Sequence, residues 1–177
     1  MRTRLVERHD AAALLAIYNP EVIETTVSFD LVPRSLPGQI EWIDAHQTTH
    51  PCLVAVNDED DLGERNERGE LLLGFASVSP FRERPAYATT VENSVYVLRA
   101  ARGRGVGEIL LRRLIDVCGE SGFHSVIARI VGENRTSIAL HERCGFTLVG
   151  TELEVGRKHG RWLDVVEYQC VLPEVRR

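Results

Sequence analysis

The stretch Val95-Tyr96-Val97-Leu98-Arg99-Ala100-Ala101-Arg102-Gly103-Arg104-Gly105-Val106-Gly107 governs how the rest of this chain is read. Its first three residues, two β-branched and one aromatic, favour a strand. Glycines then alternate with other residues from 103 to 107, breaking any regular element and opening backbone conformations closed to other side chains. From Val106 onward, Val106, Ile109, Leu110, Leu114 and Val117 fall on one helical face, with Glu108, Arg112, Asp116 and Glu120 four apart on the other. A strand, a glycine-rich turn and a helix start in succession present free backbone N–H groups and the positive end of a helix dipole. Such an arrangement suits phosphates, and Arg102 and Arg104 add charge to it. The spacing is not Gly-x-Gly-x-x-Gly and no Gly-Lys-Ser/Thr follows, which disfavours nicotinamide dinucleotides and P-loop nucleotides.

Upstream, Arg4-Leu5-Val6 reads as a first strand, and Asp10 as the cap of a helix over 11–19 that turns Leu14, Leu15 and Tyr18 inward. Ser35 and Pro37 announce a short helix through about His50. Cys52–Val56 and Leu71–Ser79 are strand-like, joined by a long acidic loop, and Tyr87–Val97 is a strand interrupted by Thr90, Glu92 and Asn93. Downstream, Gly119 and Gly122 end the long helix and Ser125–Val131 is a buried strand. Asn134 or Thr136 caps a helix to about Arg143, ended by Gly145. Phe146–Val155 and Trp162–Val171 form a terminal hairpin around Lys158-His159-Gly160. The order β-α-α-β-β-β-α-β-α-β-β predicts an α/β fold with one mixed central sheet and one parallel crossover through the long helix. No linker or repeat divides the chain, so residues 1–177 are expected to form a single domain.

Composition supports this reading: at 177 residues, 44% hydrophobic and 27% charged, the chain suits an ordinary globular domain. No apolar run approaches the ~18–20 residues of a membrane span, and Met1-Arg2-Thr3-Arg4 leads into polar sequence, so neither a membrane nor a secretory role is expected. Cys52, Cys118, Cys144 and Cys170 are scattered, Cys118 and Cys144 being expected in the core; a reducing cytoplasm fits best and no metal site is expected. His46 and His50, four apart on a helix, lack a third ligand and read as solvent-facing.

The net charge of −5 lies entirely in residues 57–70, where seven acids face two arginines; the rest carries nineteen bases and nineteen acids. That loop reads as a disordered hairpin tip without catalytic duty. Residues 99–113 hold five arginines against Glu108, a density that suits a small polyanion, and the overall balance argues against nucleic acid as a partner.

Arg102-x-x-Gly105-x-Gly107 after Val95-Tyr96-Val97, followed by Asn134-x-x-Ser137-x-x-Leu140-His141-Glu142-Arg143-Cys144-Gly145-Phe146, resembles the GNAT superfamily of acetyl-CoA-dependent N-acetyltransferases. Thr90-Val91-Glu92-Asn93-Ser94-Val95-Tyr96-Val97, Leu140-His141-Glu142 and Lys158-His159-Gly160-Arg161-Trp162-Leu163-Asp164-Val165 bring it close to the phosphinothricin and methionine sulfoximine acetyltransferase branch. The resemblance runs from about Leu5 to Leu172 and implies the GNAT fold, with splayed strands holding acetyl-CoA as cosubstrate.

It also implies roles residue by residue. Val95, Tyr96 and Val97 would pair their backbone with the pantetheine arm. Arg102, Gly103, Arg104, Gly105, Val106 and Gly107 would take the diphosphate, and Asn134 would touch the cofactor near the pantetheine. Glu92, a carboxylate inside an apolar run, resembles the family's general base, while simple alternation leaves it as a surface residue of an edge strand. A backbone N–H near Val97 would serve the oxyanion. His141 stands where many members have Tyr; it would donate a proton, help the base, or only pack on the cofactor. The branch's acceptor loop corresponds to Phe81–Tyr87. There Arg82 and Arg84 would grip a carboxylate or phosphinate, with Tyr87 beside them and Phe29 as an apolar wall; the competing reading is a solvated arginine-rich loop. Ala88 departs from the branch, where a basic residue stands, leaving the acceptor open. Trp162 and Asp164 belong either to a dimer contact or to the substrate end.

The expected activity is direct acetyl transfer to the amine of a small amino acid or analogue, in a cytoplasmic homodimer. Competing readings are another acceptor (a polyamine, an aminoglycoside or a protein N-terminus) or a non-catalytic acetyl-CoA-binding module.

Overall fold

The computed structural model describes residues 1–47, 49–57 and 65–173. Its elements are β1 (Arg2–Leu5), α1 (Ala11–Glu24), α2 (Leu36–Ala45), β2 (Cys52–Asn57), β3 (Leu71–Pro80), β4 (Thr90–Val97), α3 (Val106–Glu120), β5 (Ser125–Val131), α4 (Arg135–Arg143), β6 (Thr147–Lys158) and β7 (Arg161–Val171). This is the order expected from the sequence. The seven strands form one sheet in the order β1-β2-β3-β4-β5-β7-β6. Every pairing is antiparallel except β4–β5, which α3 connects.

Each sheet face carries its own core. Leu110, Leu111 and Leu114 of α3 pack with Val126, Ala128 and Ile138 on one side. On the other, Leu14, Ile17 and Tyr18 of α1 and Ile43 of α2 pack with Val54 and Phe75. The α3 stripe is Val106, Leu110, Leu111, Leu114 and Cys118, which displaces Ile109 from the expected face and leaves it 44% exposed. Cys118 and Cys144 lie in this core as free thiols.

Other departures have local causes. Helix α1 does not stop near Asn19; it continues through Pro20, because burial of Glu21 and Val22 in the next turn outweighs the missing N–H. Asp10 stands at the start of α1 but gives it no cap; its carboxylate receives Arg4 and Asn66 at 2.8 Å and the Glu7 N–H at 2.9 Å. Helix α2 ends at Ala45, so His46 and His50 do not share a helix. His46 is half-buried, stacked on Trp42 at 3.9 Å with Nδ1 2.7 Å from the Trp42 carbonyl. Strand β4 begins at Thr90, and Pro85–Tyr87 forms a 3-10 turn. Of the acidic loop, residues 58–64 lie outside the described residues, whereas 65–70 are folded. Asn66 is buried, and Glu70 Oε2 receives Arg4 at 2.5 Å and Asn66 at 2.8 Å. The expected disorder is therefore not found in residues 65–70.

Candidate active site

Strands β4 and β5 pair only at Thr90↔Ser125, Val91↔Val126 and Glu92↔Ile127. Beyond that rung they part, while β4 stays on β3 as far as Val97↔Gly74 and β5 stays on β7 as far as Val131↔Val165. A cleft of about 510 Å³ fills the gap, lined by Asn93–Val97, the start of α3, and Ser137, Leu140 and His141 of α4. The Leu98 N–H donates to Leu73 O at 2.9 Å, toward β3. Backbone groups alternate sides along a strand, so those of Val97 and Val95 face the cleft and present an open edge.

The glycine turn closes one end. Gly103 and Gly105 sit at φ 76° and 79°, the left-handed region where any side chain is strained. Gly105 holds the cap position of α3 and offers no side chain to it. The N–H groups of Val106, Gly107 and Glu108 therefore have no intrahelical partner, and all three residues line the cleft. The neighbouring arginines are largely paired within the protein. Arg102 reaches Glu21 Oε1 at 2.9 Å and Arg99 the same oxygen at 2.8 Å, so buried Glu21 ties the turn to α1. Arg112 bonds Glu108 at 3.0 Å and the Arg143 carbonyl at 2.9 Å. Arg104 lies on the turn but not in the cleft lining. What remains for a diphosphate is chiefly main-chain amide and helix dipole. Asn134 lines the cleft while its side chain accepts the Ser137 N–H at 3.1 Å, capping α4.

Glu92 occupies the last rung before the strands part. Val91, Val95 and Val97 face the α3 core, whereas Tyr96 faces α1 and α2; alternation therefore sends Glu92 to the α1/α2 side and Asn93 to the α3/α4 side. Burial pushes the Glu92 carboxyl above its ordinary value of 4.5, Arg129 opposes that shift, and Glu167 and Glu152 add to it. Arg129 lines the cleft from β5 and is ion-paired with Glu152. Tyr96 is enclosed between Tyr18 at 4.9 Å and Phe75 at 5.3 Å, and its phenol is driven upward by burial. His141 is 3% exposed, with Nδ1 2.8 Å from the Ser137 carbonyl and Nε2 3.2 Å from Asn93 Oδ1. Burial lowers the pKa of its ring.

None of the expected acceptor residues Phe29, Arg82, Arg84 and Tyr87 is in the cleft lining. The Phe81–Tyr87 loop starts beside Glu92, since Ser79 pairs with Glu92 and Pro80 with Val91. Arg82 lies over the rings of Phe81 at 4.8 Å and Tyr87 at 5.7 Å, and Arg84 is exposed. Phe29 lies on β6, where a Cβ at Gly156 would meet its ring at 2.3 Å. That segment is fastened by buried Lys158, whose Nζ donates to Ser28 O at 2.6 Å, and by the Tyr18 hydroxyl, 2.5 Å from Asp30. Trp162 is 59% exposed beneath Arg157, and Asp164 accepts the Glu154 N–H at 2.8 Å, holding a bulge in β6. His9, Asp10 and Glu70 converge within 4.8 Å, but Arg4 bonds both carboxylates and supplies the cation.

Sequence reasoning missed Glu21, Arg129 and Lys158 as site neighbours. Glu21 was hidden because Asn19-Pro20 reads as a helix end. Asn93 carried a signal, a second polar residue in an apolar strand.

Comparison with known proteins agrees with this geometry. The model of the Acetyltransferase (GNAT) family matches residues 12–146. A phosphinothricin N-acetyltransferase from Streptomyces coelicolor is 39% identical over 160 residues, 90% of each chain. An L-methionine sulfoximine/L-methionine sulfone acetyltransferase from Pseudomonas paraeruginosa is 39% identical over 168 residues, covering 94% of this chain and 92% of the relative. The crystal structure of a phosphinothricin acetyltransferase from Sinorhizobium meliloti in complex with AcCoA superposes with a TM-score of 0.85 at 34% identity, over 97% of this chain and 88% of that one. A strand edge left open beside a helix start without a side-chain cap fits the extended, diphosphate-bearing cosubstrate of that family, and the chain is a member of the GNAT family, an N-acetyltransferase that uses acetyl-CoA.

Proposed function

We propose that the acceptor is the primary amine of a small amino acid or analogue of the phosphinothricin, methionine sulfoximine or methionine sulfone type, and that Glu92 is the general base. The observation that carries this reading is the position of Glu92: a half-buried carboxylate with a raised pKa, on the last rung before the open edge of β4. The names of the relatives support the acceptor class.

Acetyl-CoA supplies the acetyl thioester. Val95 and Val97 offer backbone groups to its arm, the Arg102–Gly107 turn holds its diphosphate, and Asn134 borders the arm. Glu92 takes one proton from the acceptor ammonium. The freed nitrogen attacks the acetyl carbon, forming the C–N bond as the C–S bond breaks; the thiolate leaves with the electron pair and takes up the second proton, which the nitrogen sheds as it becomes an amide. The Val97 N–H, turned into the cleft, donates to the carbonyl oxygen as it gains charge. No cysteine lines the cleft among the described residues, which supports direct transfer in a ternary complex. His141 borders the cleft from α4. Arg82 and Arg84 hold the acceptor's anionic group, with Tyr87 and Phe29 as apolar walls.

The chain acts as one domain in a cytoplasmic homodimer. Exposed Leu148, Val149, Leu153 and Val155 along edge strand β6 support self-association, and no described helix is long and apolar enough to cross a membrane. The test is an acceptor panel scored by release of free thiol from acetyl-CoA. Turnover is expected with phosphinothricin, methionine sulfoximine or methionine sulfone. Turnover only with polyamines, aminoglycosides or peptides would overturn the acceptor class.

A further inference from the structure

We infer that Asn93 is a positioning residue that fixes His141 as the neutral ring with its proton on Nδ1 and its Nε2 lone pair capped, so that His141 does not supply a proton to the departing thiolate. The inference rests on the acetyl-transfer reading only for the identity of that thiolate.

Three observations combine. Nδ1 of His141 lies 2.8 Å from the Ser137 carbonyl, which can only accept, so the proton is on Nδ1. The neutral ring then offers a lone pair at Nε2, and Nε2 is 3.2 Å from the Asn93 amide. Asn93 is itself buried, and its Nδ2 has no hydrogen-bond partner. With Oδ1 toward the ring, two acceptors would oppose each other while an amide N–H group goes unsatisfied. A half-turn of the amide, which exchanges two atoms of the same shape, cures both faults: Nδ2–H donates to Nε2. Oδ1 then becomes the free acceptor of a residue that lines the cleft.

The alternative is an imidazolium donating to Oδ1. Burial disfavours that charge, and the Ser137 carbonyl is the one group acting in its favour. No carboxylate or cation among the described residues acts on the ring. The pair also ties α4 to β4 one residue past the last β4–β5 rung, where the cleft opens.

Nitrogen-15 NMR of histidine-labelled protein reads the tautomer without any assay of activity. Wild-type His141 is expected to show a protonated Nδ1 and a bare Nε2 at pH 8, and to titrate below its ordinary 6.5. In Asn93→Asp the new carboxylate draws a proton onto Nε2, and the ring titration moves up by about 1 unit or more. His141→Gln can still donate to Ser137 O and accept from Asn93, so its turnover falls about three- to tenfold, well short of the ~10²-fold or greater loss expected for a removed proton donor. A protonated Nε2 in the wild-type protein, a ring titrating at or above its ordinary value, or a hundredfold loss in His141→Gln overturns the inference. The wild-type spectrum decides the matter even if a variant fails to fold.

Discussion

Replacing Gly156 by Ala tests how the acceptor side is built. The new methyl would stand 2.3 Å from Phe29 Cε2 and Cζ. Carbon atoms pack at about 3.5–4.0 Å, so the ring must withdraw by roughly 1.2 Å or more. Phe29 is 42% exposed, so somewhat more than half of its surface is buried. At about 25 cal/mol per Å², that burial contributes at most about 2.5 kcal/mol, of which a displaced ring loses a part. Loss of backbone freedom in the unfolded chain returns about 0.4–1 kcal/mol, because the conformation of Gly156 is open to alanine. The net expectation is a destabilisation of about 1–2 kcal/mol. In a Phe29→Ala background the obstruction is gone and the same substitution becomes neutral or stabilising by up to about 1 kcal/mol. Urea unfolding of the four proteins measures the coupling. Kinetically, Gly156→Ala should raise the acceptor KM and leave the acetyl-CoA KM unchanged, since neither residue lines the cleft. An equal cost in both backgrounds would refute the seating of Phe29 on β6.

Glu92→Gln should lower kcat by about 10²–10⁴-fold while calorimetry finds acetyl-CoA affinity within about twofold of the wild type. Because the base must be ionised, the acid limb of kcat/KM should lie above pH 4.5, and Arg129→Met should move it higher by removing the opposing cation. Gly74→Ala would set a methyl 2.7 Å from the Tyr96 carbonyl and 3.2 Å from Val97 Cα, both backbone; a loss of about 1–3 kcal/mol is expected in urea unfolding. Arg4 holds the Glu70 carboxyl near 2, below its ordinary 4.5. Since that folded value is depressed, the stabilisation is complete above about pH 4.5 and disappears as pH falls toward 2. Arg4→Met should be less stable at pH 7, and denaturant titrations should show its deficit shrinking across that window.

Element order was legible because glycine punctuation and apolar period are local properties, and β4–turn–α3 shows both. Details that hinge on competition between partners were not. Asp10 has the chemistry of a cap, but Arg4 and Asn66 occupy its carboxylate. The arginines around the turn promise phosphate contacts, yet Glu21 draws Arg99 and Arg102 inward. The seats of the expected acceptor residues were not legible either: Arg82 lies on Phe81 and Tyr87, and Phe29 on Gly156.

The chain by itself determined the mixed sheet, the glycine-rich turn before the long helix and an acidic residue in the strand ahead of it, because these depend on spacing along the backbone. The tertiary structure alone decided where β4 and β5 separate, which side of the sheet Glu92 takes, and that Asn93 meets His141. Those outcomes come from contacts between residues far apart in sequence, which are set by how the elements pack and leave no periodic trace in either segment.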